Sequence, residues 1–122
     1  MNAKTKKILS TVILAIPALV MVFSAVGKLS GQQMVVDGLS KIGYGPYIPF
    51  LGIAELVFAV LLFVPKTRKI GFLFTVCYLS AAAAIEIVGG NPPMALVFVA
   101  LAWIGMYIRD KYMFVAGPVQ AE

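Results

Sequence analysis

The sequence contains no histidine and only one cysteine, Cys77, in 122 residues. One thiol cannot form an intramolecular disulfide or a CxxC redox pair. The usual nitrogen and sulfur ligands are nearly absent, so we expect no zinc, haem or iron–sulfur site and no intrinsic cofactor. Charged residues are also scarce, at 12% of the chain against about 25% in a typical soluble domain.

Apolar residues dominate what is present, at 61% of the chain with a mean hydropathy of +0.99. A domain this small has too much surface to hide so many apolar side chains from water. We therefore predict an integral membrane protein with a single domain over residues 1–122. The net charge of +5 does not indicate nucleic-acid binding, because the basic residues lie at the ends of apolar runs rather than on a soluble face.

Four apolar runs predict four transmembrane helices, over residues 8–26, 48–64, 70–88 and 94–108. A helix needs roughly 20 apolar residues, within a range of about 17–25, to cross the hydrocarbon core. The first and third runs reach this length, whereas flanking residues must complete the second and fourth. Turns rich in proline and glycine separate the later runs. The predicted fold class is all-α, a membrane four-helix bundle.

Lysine and arginine alternate between the connections as expected when both termini are cytoplasmic. The basic clusters precede the first run, separate the second from the third and follow the fourth: Lys4, Lys6, Lys7, Lys66, Arg68, Lys69, Arg109 and Lys111. We predict an N-in/C-in topology in a bacterial cytoplasmic membrane. A cleaved signal peptide is the alternative for the first run, but that run is long for one and no clear A-x-A-like site follows it.

The first external connection, "KLSGQQMVVDGLSKIGYGPYIP", is the only long one. Its apolar residues can share one helical face: Met34, Val35, Leu39 and Ile42. This pattern predicts a short helix that lies at the membrane interface as a lid. An ordinary linker is the alternative.

Three further charged residues lie within the predicted spans or just beyond them: Lys28, Glu55 and Glu86. In the predicted topology all three belong to the outer half of the bundle. Gly52 and Ala59 share a helical stripe with Glu55, and such small residues permit close helix packing. A carboxylate that faces lipid costs about 2.5–3.5 kcal/mol at a helix centre. We therefore expect Glu55 to face the bundle interior, where it either pairs with Lys28 or stays protonated.

These charges admit two interpretations. In the functional one, Lys28, Glu55 and Glu86 line a pocket and contact a hydrophobic ligand or a proton. In the structural one, the Lys28–Glu55 pair fixes helix register, and Glu86 reaches interfacial water. Cys77 and Tyr78 are interpreted as packing residues. No catalytic residue can be assigned.

Several motifs resemble those of the DoxX-like family of small four-span membrane proteins. They are "SAVGKLSG" at the end of the first span, "GYGPYIPFLGIAEL" at the entry to the second, the "PKTR" turn and an Ala-rich third span. The resemblance implies a compact four-helix bundle with Lys28 and Glu55 at the family's characteristic positions. Family members often carry a histidine or another polar residue near the outer end of the third span, where this chain has Glu86.

The resemblance also implies candidate functions, because the best-known members are membrane subunits of quinone-linked sulfur oxidation or parts of membrane oxidoreductase assemblies. Our first hypothesis is a protein that binds a quinone or lipid through the outer-half charges, or an accessory membrane subunit. The second is the membrane subunit of a quinone-linked oxidoreductase whose redox partner supplies the cofactor. The third is a structural or assembly factor for other membrane proteins. Whether the chain is itself an enzyme stays open, because it has no self-contained catalytic motif.

Overall fold

Helices make up nearly all of the structure. The computed structural model describes residues 2–117, apart from the side chain of Val35. The α-helices are α1 (Ala3–Leu29), α2 (Gln33–Ser40), α3 (Ile48–Phe63), α4 (Arg68–Val88) and α5 (Ala95–Arg109). Short 3-10 turns occur at Gly45–Tyr47, Pro65–Thr67 and Lys111–Met113. The described residues contain no strand, so the all-α prediction is confirmed.

Each predicted span falls on one of the long helices. α1, α3 with its preceding turn, and α4 with its preceding turn are the three segments that are long and apolar enough to cross a membrane. α5 is apolar but shorter, with 15 residues. The spanning candidates support a membrane protein, whereas the fourth crossing and the orientation of the termini stay predictions.

The four long helices pack as a bundle with α2 at one end. α1 packs against α3 and α5, and α4 packs against the same two helices. One cluster of buried side chains contains Leu14, Leu62, Phe72 and Met106, and a second contains Met21, Ala59, Leu79 and Ala95. Large apolar side chains also cover the outside, including Phe23, Phe50 and Val88. An exterior of this kind suits lipid rather than water.

Arg68 fastens the turn between α3 and α4. Its side chain is buried, with Nε donating to the Leu62 carbonyl at 2.9 Å and Nη2 donating to the Phe63 carbonyl at 2.8 Å. Both carbonyls belong to the last turn of α3, where helical partners are missing and the helix carries negative partial charge. The basic residue that begins α4 therefore caps the helix before it and holds the two helices together.

The first long connection contains the predicted short helix, as α2. Leu39 and Ile42 are partly buried, whereas Met34 is 84% exposed, so only part of the predicted apolar face contacts the bundle. The side chain of Val35 lies outside the described part of the chain. The location of α2 at a membrane interface stays a prediction.

Candidate functional site

Close packing of α1 on α3 brings Lys28 beside Glu55. The buried face of α3 includes Gly52, Glu55 and Ala59, which is the stripe that helical spacing predicts. A Cβ atom at Gly52 would lie 2.9 Å from Leu29 Cγ and 3.3 Å from Lys28 Cβ. The lack of a side chain at Gly52 thus lets the end of α1 approach the helix that carries the carboxylate.

Glu55 is the centre of a buried hydrogen-bond network. It is 2% exposed, and its Oε1 accepts hydrogen bonds from both Lys28 Nζ and Tyr78 Oη. Lys28 Nζ also donates to Ser24 Oγ at 2.7 Å. Glu55 Oε2 is buried and has no partner among residues 2–117. The carboxylate therefore retains one oxygen for a further donor.

The depth of Glu55 explains why it needs these partners. It lies about 10 Å along the axis from the start of α3 at Ile48. An isolated carboxylate in such an apolar setting would lose its hydration without compensation. The ammonium group of Lys28 and the hydroxyl of Tyr78 supply that compensation. A buried pair of this kind is weak evidence for stability, because desolvation offsets much of the attraction.

The network lies in the wall of a cavity of about 450 Å³. Apolar side chains from α1, α3, α4 and α5 form most of the lining, and Leu39 of α2 and Tyr44 complete it. The polar lining residues are Ser24, Lys28, Tyr44, Glu55, Tyr78 and Glu86. Small-molecule sites are typically cavities of roughly 300–1,000 Å³ with apolar walls and a few convergent polar groups. The cavity has both properties.

Glu86 lines the same cavity but has different partners. Its Oε1 accepts from the Ala95 amide at 2.9 Å and its Oε2 from the Met94 amide at 3.0 Å. Ala95 is the first residue of α5, whose N-terminal amides lack partners within that helix. Glu86 therefore caps α5 from the end of α4, and a carboxylate is favourable at that positive helix end. No ion pair joins it to Lys28 within the described chain.

Removing this cap should destabilise α5. We expect Glu86→Ala to lower the free energy of unfolding by roughly 0.5–2 kcal/mol, because the Ala95 amide loses its side-chain acceptor. The Met94 amide keeps its second acceptor, the Pro92 carbonyl at 2.8 Å. Glu86→Gln should cost less, since its amide keeps one acceptor oxygen. Hydrogen exchange at the Ala95 amide measures the effect directly. Unchanged protection in Glu86→Ala would contradict the capping role.

Tyr78 is the member of the network that sequence reasoning missed. It does pack edge-on against Phe58, but its hydroxyl also donates to Glu55. A tyrosine hydroxyl within an apolar helix usually needs a hydrogen-bond partner, and that signal was available in the sequence. The interpretation of Cys77 as a packing residue is wrong, because Cys77 is exposed, on the opposite side of α4 from the buried Thr75.

The chemistry of the site is that of binding polar groups, since beside apolar walls it offers the third N–H of Lys28 and the unpaired Oε2 of Glu55. The single hydroxyl proton of Tyr78 is already donated to Glu55. Residues 2–117 contain no group of three or more histidine, cysteine, aspartate or glutamate side chains that could hold a metal ion. The apolar helices and the buried charged network define the class as a small helical membrane protein.

The family follows from a comparison of sequences. The family model described as DoxX-like matches residues 12–105, which is more than half of the 122 residues. The chain therefore belongs to the DoxX-like family, as its motifs predict. No curated protein and no solved structure gives a significant match.

Proposed function

We propose that this DoxX-like protein binds a hydrophobic small molecule, a quinone or a lipid, in the cavity beside Glu55. The observation that carries the proposal is the cavity itself, whose apolar walls converge on Lys28, Glu55 and Tyr78. Apolar walls would hold the body of the ligand, and the polar network would orient its head.

The chemistry of the network fits either ligand class. The third N–H of Lys28 can donate to a carbonyl or phosphate oxygen, whereas Tyr78 Oη and Glu55 Oε2 can each accept from a hydroxyl group. A bound quinone would supply two-electron redox chemistry, whereas the chain's own residues bind its head and exclude water. Electron transfer would require a redox partner protein, because the site contributes no redox-active group of its own.

The proposal includes four membrane crossings, a bacterial cytoplasmic membrane and cytoplasmic termini. Of the 10 lysine and arginine residues, only Lys28 and Lys41 lie away from the end where α1 begins and α5 finishes. Such an excess of positive charge favours the cytoplasmic side. Tyr107 and Tyr112 lie near the end of α5, where aromatic rings commonly occupy the interface and can complete a short span. The cavity then belongs to the outer half of the bundle.

Two alanines on α4 provide a test of ligand binding with a matched control. Ala82 lines the cavity, whereas Ala84 is exposed and does not line it. The protein is extracted with its own membrane lipids and studied by native mass spectrometry. We expect a discrete bound mass on wild type and Ala84→Phe that is lost from Ala82→Phe, because only the latter substitution fills the cavity.

The outcomes separate binding from a purely structural network. Loss of the same mass from Glu55→Gln would show that the carboxylate is part of the site. The value of the mass bound to wild type would identify the ligand class. Wild type without any bound mass, or Ala82→Phe that retains it, would contradict the proposal. The Lys28–Glu55 pair would then be interpreted as a device that holds helices in register, and the search would turn to protein partners.

A further inference from the structure

A second cavity lies at the opposite end of the bundle, between the first turns of α1 and the last turn of α5. This basic cleft has a volume of about 330 Å³ and is lined by Ala3, Lys6, Lys7, Ile108 and Arg109. Three of these five residues are cations and none is an acid. The cleft is separate from the cavity beside Glu55 and shares no lining residue with it.

The positive charge of the basic cleft is not neutralised by neighbouring acids. Asp110 is next in the chain after Arg109, but it pairs with Lys69 at 3.0 Å. The only other ion pair within the described chain is Lys28–Glu55, at the far end of the bundle. The positive end of the α1 dipole and the negative end of the α5 dipole both lie at this cleft, so its three cations make the local potential favour an anion.

Arg109 is held where it can contact such an anion. Its Nη1 lies 3.4 Å from both Ser10 Oγ and Thr11 Oγ1 of α1. Both contacts are long and involve only Nη1, so most of the N–H donors of the Arg109 guanidinium remain free. Arginine is well suited to bidentate contact with phosphate. The hydroxyls of α1 therefore position Arg109, while Lys6 and Lys7 extend from the same helix into the cleft.

The depth of the basic cleft indicates which anion it would meet. Lys7 immediately precedes the first apolar run, and Arg109 closes the last helix, so the cleft lies where an apolar surface meets polar headgroups. Ile104 lies one helical turn below Ile108 and is 50% exposed. An inorganic ion would need only the cations, whereas the apolar surface that continues from the cleft suits acyl chains.

We propose that the basic cleft binds the phosphate-bearing headgroup of an anionic phospholipid. Lys6, Lys7 and Arg109 contact the phosphate, and the exposed side chain of Ile104 lies beside the acyl chains. Basic pockets between membrane helices are known as headgroup sites for anionic lipids. This inference does not depend on the ligand of the outer cavity, because the two sites lie at opposite ends of the bundle.

The test uses the full-length protein in neutral detergent, titrated with phosphatidylglycerol and, separately, with phosphatidylcholine of the same acyl chains. Native mass spectrometry counts the bound lipids. Lys6→Gln combined with Lys7→Gln should weaken phosphatidylglycerol binding by about 25-fold, from roughly fivefold for each cation removed. The matched control combines Lys66→Gln with Lys111→Gln, which removes equal charge from the same end but outside the cleft. That control should bind like wild type.

Three results would overturn the proposal. They are an equal loss in the control variant, equal affinity of the wild type for the two lipids, and binding of inorganic phosphate as tight as that of phosphatidylglycerol. The last would indicate a free-anion site. Lys6 and Lys7 are exposed, so their substitution should not disturb folding, and Arg109→Gln provides an independent variant with the same expected direction. In an Ala82→Phe background, whose outer cavity is filled, Lys6→Gln combined with Lys7→Gln should weaken phosphatidylglycerol binding by the same factor.

Discussion

Lys28→Met should lower the free energy of unfolding by about 3–5 kcal/mol, the usual cost of removing one partner from a buried ion pair. The substitution leaves Glu55, which is 2% exposed, with only the hydroxyl of Tyr78 as a donor. Glu55→Gln should cost less, because the long side chain of Lys28 lies near the end of α1 and can turn toward the interface. Thermal and denaturant unfolding in detergent measures both effects.

A double-mutant cycle gives this prediction its control. Combining Lys28→Met with Glu55→Gln removes both charges, so the double variant should be more stable than the sum of the single changes predicts, by about 0.5–3 kcal/mol. Tyr78→Phe removes one hydrogen bond to the carboxylate but leaves the ion pair, and should cost roughly 1.5–3 kcal/mol. If the losses in unfolding free energy from Lys28→Met and Glu55→Gln simply add in the double variant, the ion pair contributes no coupling energy.

The second large effect is expected at Gly71, where α4 touches the backbone of α3. A Cβ atom there would lie 2.7 Å from Leu62 Cα and closer still to Leu61 C and Leu62 N. These are backbone atoms of a packed helix, which cannot turn away as a side chain can. We expect Gly71→Ala to force the helices apart and to cost about 3 kcal/mol, at the upper end of overpacking effects. The unfolding midpoint in detergent measures the loss.

Gly38→Ala is the matched control, because it makes the same chemical change in a helix. Apart from its chain neighbours and the backbone of its own helix, nothing lies within 4 Å of the Cβ position at Gly38. Alanine has the better helix propensity, so this variant should be as stable as wild type or more stable by up to about 1 kcal/mol. A Gly71→Ala protein as stable as Gly38→Ala would mean that α3 and α4 can separate without cost.

The inward position of Glu55 could be predicted because helical periodicity and the cost of a charge in lipid lead to the same result. Gly52, Glu55 and Ala59 repeat at helical spacing, and the structure buries all three. The partner of Glu55 on α4 was less accessible to this reasoning. Tyr78 and Leu79 are adjacent residues about 100° apart on the helix, and only the rotation of α4 within the bundle decides which of them reaches Glu55.

The role of Glu86 was beyond sequence reasoning for a different reason. Its partners are the backbone amides of Met94 and Ala95, which reach it only because the "GGNPP" turn brings α5 back against the end of α4. Every residue except proline has a backbone amide, so the sequence does not show which amide will bind a carboxylate, and a search for partners of opposite charge overlooks it. The hint was the start of α5 itself, which has no serine, threonine, aspartate or asparagine at its N-cap.

The unequal lengths of the helices have a consequence for the surrounding bilayer. α1 has 27 residues and is about 40 Å long, whereas the 15 residues of α5 reach only about 22 Å. If α5 crosses as proposed, its flanking tyrosines and local thinning of the lipid beside it together meet its hydrophobic mismatch with a hydrocarbon core of roughly 30 Å. The bilayer would then be thinner beside α5 than beside α1, and the protein would favour thin membrane regions over thick ones.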